Sequence, residues 1–313
     1  HRQAGIALLD GVADKAERVR FEIDLQAALG FALTATRGYA APDVEAAFSR
    51  AYALCQASGE PAQAIPVLRG FATFHWVSGN LATARRFGLQ LAESAERTGD
   101  AEASSVAHGM LAGILHHMGE IAGSELHCAK LAAPYDLRHR RNIVVRFGED
   151  TPSVTWAYHG YNEAWRGNFA VALAAVEQAV EYASRSGHPF SIAGAQCRAA
   201  ICSVIMRDPA RAAAFAEPGF ATARDLGFPV SRAIANVVLG WTDALDGRAR
   251  EGVERIIEGM TLWRSTGAAV ALPCFFGLLA EAHLVAGSTA DAIAAAEEGM
   301  RCGAEKAEQA WEG

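Results

Sequence analysis

The chain has 313 residues, of which 51% are hydrophobic and 20% charged, with only 10 prolines; such a balance excludes a disordered chain and requires a large buried core. A net charge of -7 and a pI near 5.8 argue against a general affinity for nucleic acid, which needs clustered Lys and Arg to displace counterions. No stretch approaches 18 consecutive apolar residues, so no membrane span is expected.

Taken from the start, "HRQAGIALLD" shows neither a signal-peptide pattern nor an initiator Met, so the chain reads as a cytoplasmic piece of a longer protein. Its six cysteines, at 55, 128, 197, 202, 274 and 302, include no CxxC pair and lie among apolar residues, as buried reduced thiols do. Alanine is abundant, and Val, Ile and Thr form no alternating runs, so helix is predicted throughout and strand nowhere.

Glycines punctuate these helices with a period. One series, Gly38, Gly79, Gly119, Gly167, Gly247 and Gly287, has Arg207 in the place of a missing glycine, giving spacings of 41, 40, 48, 40, 40 and 40. A second series, Gly59, Gly99, Gly187, Gly227 and Gly267, falls about halfway between. Glycine ends a helix in the left-handed conformation, and the proline that often follows suits the start of the next. Each period therefore holds two helices, and the predicted hairpins span about 15–58, 60–98, 101–133, 152–186, 189–226, 229–266 and 269–303.

Small residues recur where the two helices of a hairpin must approach. Seven positions before each inner break lie Ala72, Ala112, Gly160, Ala200, Gly240 and Ala280; five after it lie Ala84, Ser124, Ala172, Ala212, Gly252 and Ala292. On these positions the chain resembles the tetratricopeptide repeat, in a variety of about forty residues. The tryptophan that the repeat has early in its first helix is present at Trp156 and is replaced by Leu68, His108, Gln196, Asn236 and Phe276 elsewhere. "LTATRGYAAPDVEAAFSRAYALC", "GHPFSIAGAQCRAAICSVIMRDPARA", "LGFPVSRAIANVVLGWTDALDGRAREGV" and "WRSTGAAVALPCFFGLLAEAHLVAG" further resemble the C-terminal repeats of large bacterial regulators. In those proteins an adenylate cyclase or DNA-binding domain and an AAA-type ATPase module precede the repeats. The resemblance implies an all-α, right-handed α-α superhelical solenoid of roughly seven units. It also implies a non-catalytic scaffold for protein interaction and signal sensing, whose partner is a protein segment or an upstream ATPase or effector domain of the same chain.

Helix A faces of such solenoids line a concave groove. Carrying the groove positions over from the repeat marks Arg69, Thr73, Trp76, His116, His117, Tyr161, Trp165, Trp241 and Glu281 as candidate contacts. The bland alternative makes Trp76, Trp165 and Trp241 wedges between hairpins. A broad open groove would favour a protein segment. A closed apolar pocket with convergent polar groups would favour a small-molecule inducer.

Two stretches invite a chemical reading. "LHHMGEIAGSELHC" places His116, His117, His127 and Cys128 close together in sequence, but an antiparallel turn near residue 120 leaves 127 and 128 displaced from the first pair by roughly 5 Å. Structural zinc needs four converging ligands, so no metal is expected. Signatures of hydrolases and phosphate loops are absent, so no cofactor and no catalytic residue is assigned. The unit between Gly119 and Gly167 is eight residues too long, and its insertion, 134–151, carries Arg138, Arg140, Arg141 and Arg146. It reads either as an anchor for an acidic partner or as a solvated helix extension whose arginines pair with Glu149 and Asp150. The final "EKAEQAWEG" reads as the beginning of another helix.

Overall fold

The computed structural model describes residues 9–59, 61–130 and 137–311. Within them lie fifteen α-helices and no strand: α1 (Lys15–Arg37), α2 (Pro42–Ser58), α3 (Pro61–Val77), α4 (Leu81–Thr98), α5 (Ala101–His117), α6 (Ile121–Ala129), α7 (Leu137–Phe147), α8 (Thr151–Trp165), α9 (Phe169–Ser186), α10 (Pro189–Ile205), α11 (Pro209–Leu226), α12 (Pro229–Leu245), α13 (Ala249–Ser265), α14 (Leu272–Val285) and α15 (Thr289–Lys306). Each helix packs on the next except at α7, which packs on α3 and α9 while α6 packs on α8, and α3, α5, α8, α10, α12 and α14 also pack on one another in succession. The chain is an α-α solenoid of helical hairpins.

Local chemistry sets the helix ends. Asp14, Asp100 and Asp208 cap their helices by accepting from the backbone N–H of Ala16 (2.8 Å), Ala103 (2.9 Å) and Arg211 (3.0 Å). All eleven glycines of the two series have positive φ, and so does Arg207 at 59°. An arginine there pays the steric cost a glycine avoids.

The small positions are where the helices of a hairpin meet. A Cβ on Gly240 would lie 2.6 Å from the Gly252 carbonyl oxygen, and one on Gly160 would lie 3.1 Å from the Ala172 carbonyl oxygen. Ser124 Oγ donates to the Ala112 carbonyl at 2.7 Å. All twelve positions are buried.

The solenoid turns far enough to meet itself. The backbone N–H groups of Ala269 and Val270 both donate to the Val77 carbonyl (2.8 and 3.1 Å), and Gln309 N–H donates to the His117 carbonyl (3.0 Å). Beside these bonds a Cβ at Gly267 would sit 2.2 Å from the Ala40 carbonyl oxygen, and one at Gly38 would sit 2.5 Å from Thr266 Cβ. Residues 308–311 form this seam and do not start another helix, a correction to the sequence reading. The partly buried Trp311 packs on Trp165, with ring centroids 5.9 Å apart, and holds the segment back on the ring.

The long unit departs from the solvated-extension reading at Arg146. Its excess length forms α7, with Ile143 and Phe147 buried. Arg146 pairs with Asp100 at 2.6 Å and lies 3.9 Å from Glu102, so its partners are on α5 and its cap and not at Glu149. Arg138, Arg140 and Arg141 have side chains outside the described ones.

Candidate functional site

Closing the ring converts the concave groove into a chamber of about 110 Å³. Every first helix of a hairpin from α3 to α14 supplies part of its wall, and Tyr39, Glu149, Val270 and Trp311 come from the connections. Of the groove residues expected from sequence, Arg69, Thr73, Trp76, His117 and Tyr161 face this chamber. His116, Trp165, Trp241 and Glu281 are placed elsewhere. All of these except Trp165 and Glu281 are buried, so the groove is not a broad open face.

The charged centre of the wall is Glu149. Its Oε1 accepts from Arg198 Nη2 at 2.7 Å, and its Oε2 accepts from Arg69 Nη2 at 3.1 Å and from the Tyr39 hydroxyl at 3.0 Å. Burial alone would raise the Glu149 carboxyl, but Arg198 and Arg69 beside it hold it below its ordinary value. Burial and the neighbouring Glu149 hold Tyr39 protonated well above the ordinary tyrosine range. The Arg69 guanidinium also lies over the Phe31 ring, 5.3 Å from its centroid.

Aromatic rings close one end of the chamber. Trp76 packs on Tyr158 (5.4 Å between centroids) and on His117 (5.9 Å). Its ring fits because residue 113 is glycine, where a Cβ would fall 2.2 Å from Trp76 Cη2. The tryptophan is therefore both an inter-hairpin wedge and chamber wall. His117 Nδ1 lies 2.8 Å from Glu308 Oε1, and that carboxylate also accepts from the Ala271 N–H and from the Trp311 indole N–H, both at 2.9 Å.

The histidines of the sequence motif part company. His116 Nδ1 is 2.7 Å from Asn162 Oδ1, His127 faces His108 with 3.0 Å between their Nδ1 atoms, and Cys128 Sγ points to the Thr155 carbonyl. Burial lowers His116 to about 3, assisted by the nearby His117, and lowers His127 to about 4. Trp241, on the far side of the ring, donates to Glu281 at 2.7 Å, and Arg207 pairs with Glu281 while stacking over the indole.

Two other groupings have the donors for chemistry. Glu125, His159 and Glu163 lie within reach of a single ion, but His159 and Asn162 engage Glu125 while Arg166 and Asn168 engage Glu163. A cation there would meet the Arg166 guanidinium. Cys274, on the chamber wall, is pushed up to about 12 by burial, which keeps it a thiol.

No family model matches the chain, and no curated protein matches it. Among solved structures, a Rap protein complexed with competence and sporulation factor is similar, with a TM-score of 0.67 and 12% identity over 98% of this chain and 92% of its own. The chain shares this TPR-like helical-repeat fold. Among the described residues no helix is long and apolar enough to cross a membrane.

Sequence reasoning missed Glu149, Arg198, Tyr39, Tyr158 and Glu308. A buried carboxylate in an otherwise basic insertion, "RFGED", was the available signal for Glu149. Nothing local marks Arg198 or Glu308, because their partners lie 49 and 191 residues away.

Proposed function

We propose that the chain is a non-catalytic sensing scaffold in which a small molecule held in the chamber sets whether the ring is shut. With the ring shut, about 110 Å³ leaves no room for a protein segment; with it open, the concave face is offered to a protein partner or to an effector domain of the same chain. The observation that carries this reading is the seam. Four backbone hydrogen bonds, from Ala269 and Val270 to Val77 and from Gln309 and Ala310 to His117, close the groove over polar groups that converge on its interior. Such a cluster in an otherwise apolar enclosure is how small-ligand sites are built.

The resemblance of the repeats to those of bacterial ATPase, cyclase and transcription regulators supports a cytoplasmic effector as the recipient of the signal. A protein-binding role is supported by the similar Rap structure, which holds a factor. The Tyr158 hydroxyl lies 3.3 Å from His117 Nε2 but is held protonated by burial, which supports a role without catalysis.

Hydrogen exchange on the full chain tests the reading. The amides of Ala269, Val270 and Gln309 are expected to be protected, and more so in protein that native mass spectrometry finds carrying a small molecule. Exchange of all three at the rate of exposed chain, whatever the protein carries, would overturn it.

A further inference from the structure

The chamber wall is out of electrical balance. Arg69 and Arg198 share one carboxylate, Glu149, so the three groups together leave one positive charge in excess. No other residue lining the chamber is acidic, and the buried carboxylates of Asp150 and Glu308 stand outside the lining. Tyr39, Tyr158, Tyr161 and Cys274 are all held protonated by burial. Glu308 lies behind His117 and is taken up by Ala271, Trp311 and His117.

The same wall has hydrogen-bond donors to spare. Arg69 Nε, Arg198 Nη1 and Trp76 Nε1 are buried with no acceptor among the described residues. Arg69 and Trp76 are only 4% and 7% exposed, so bulk water does not satisfy them. Buried donors without acceptors are rare because each forfeits its hydration. Facing them, the chamber is apolar, with Met110, Val154, Ile201, Val230, Ile234 and Phe275.

We infer that the chamber binds a small monocarboxylate with an apolar body, its carboxylate on the Arg69–Arg198–Trp76 wall and its hydrocarbon against the aliphatic side. This inference rests on the chamber being a ligand site, as proposed above. A carboxylate supplies both what the wall lacks, one negative charge and several acceptor lone pairs. The size follows from the volume. A cavity of about 150 Å³ accepts benzene, so this smaller one holds a carboxylate with a short chain and no ring.

Calorimetric titration of the full chain at pH 7.5 with propionate, butyrate, 1-propanol, 1-butanol and butylamine tests it. One-site binding of propionate or butyrate is expected, with the alcohols at least about tenfold weaker and the amine silent, because a hydrogen-bonded charge adds that much over a neutral group. Trp76→Phe keeps a ring and removes the N–H, and should weaken the acid about tenfold. Glu149→Gln removes the competing carboxylate and should tighten it, a change that a purely structural role would not produce; circular dichroism confirms that each variant is folded.

Failure of both acids to bind, or a Glu149→Gln protein that is folded and binds them no better, overturns the inference. Alcohols binding as tightly as the acids would also overturn it, while leaving the chamber a ligand site. Failure of the sensing reading shows separately, as unprotected seam amides.

Discussion

Glu149 and Arg198 meet at 2.7 Å in the middle of the ring, although the carboxylate is supplied by the one hairpin unit that is longer than the rest. Helix α7 occupies the extra length, and Gly148 (φ 76°) then turns the chain so that Glu149 enters the chamber just ahead of α8. An insertion of this kind looks like surface decoration in sequence. Here it places the only acid between two buried guanidiniums of the chamber wall.

Removing that acid should be costly. Glu149→Ala leaves Arg69 and Arg198 buried without a counter-charge, and breaking a buried pair in this way costs about 3–5 kcal/mol. Glu149→Gln, which keeps an oxygen to accept from one arginine, should lose less. Urea denaturation followed by circular dichroism checks both, and equal losses for the two variants would show that the retained oxygen contributes nothing and that the loss comes from the charge alone.

The seam can be tested with two glycines of similar φ. Gly227 (φ 73°) has nothing near the place a Cβ would occupy, whereas a Cβ on Gly267 (φ 79°) would lie 2.2 Å from the Ala40 carbonyl oxygen. Gly227→Ala should therefore cost only the left-handed strain, about 1 kcal/mol. Gly267→Ala should cost more, because backbone cannot move aside, and should widen the particle in small-angle scattering. Equal radii for the two variants would mean that the seam is not closed in solution.

Close helix approach gives a third expectation. At Gly240 a Cβ would meet the Gly252 oxygen at 2.6 Å, with Ile256 Cγ1 at 2.8 Å. Gly240→Ala should destabilise by about 1–3 kcal/mol through overpacking, even though the same place in other hairpins is filled by alanine at 72, 112, 200 and 280. The difference is the partner: α12 and α13 bring two glycines together, and this hairpin has closed to the distance that permits. Thermal melting of G240A beside the wild type is sufficient to read it.

The repeat was legible because its causes are local. A glycine break and a small residue seven or five positions from it act within one hairpin, so a period in the letters is a period in the structure. Closure was not legible, because it depends on the summed rotation of successive units, and no residue records that sum. The fate of the groove residues follows from this. Arg69, Thr73 and Trp76 occupy one helix face, as the spacing implies, but whether that face meets water or Trp263 and Phe275 is decided by helices some two hundred residues away. Arg207 illustrates the opposite case. Its position in the glycine series was evident from spacing, and its left-handed φ of 59° is the consequence.

Acid should loosen the ring through His116. The folded chain keeps this imidazole neutral down to about pH 3, because it is fully buried and close to His117, which together outweigh the opposing hydrogen bond from Nδ1 to Asn162. The unfolded chain takes up a proton at the ordinary value of 6.5. Between those limits the unfolded state binds more protons, so stability is fully present above pH 6.5 and is lost as pH falls, by about 1.4 kcal/mol per unit. His127, lowered to about 4 beside His108, acts in the same direction. His116→Gln retains a donor for Asn162 and carries no titrating group, so its urea midpoint should fall less steeply between pH 6.5 and 4.5, by the equivalent of one proton. A His116→Gln slope identical to that of the wild type would place the acid sensitivity elsewhere, with the His108–His127 pair the next to replace.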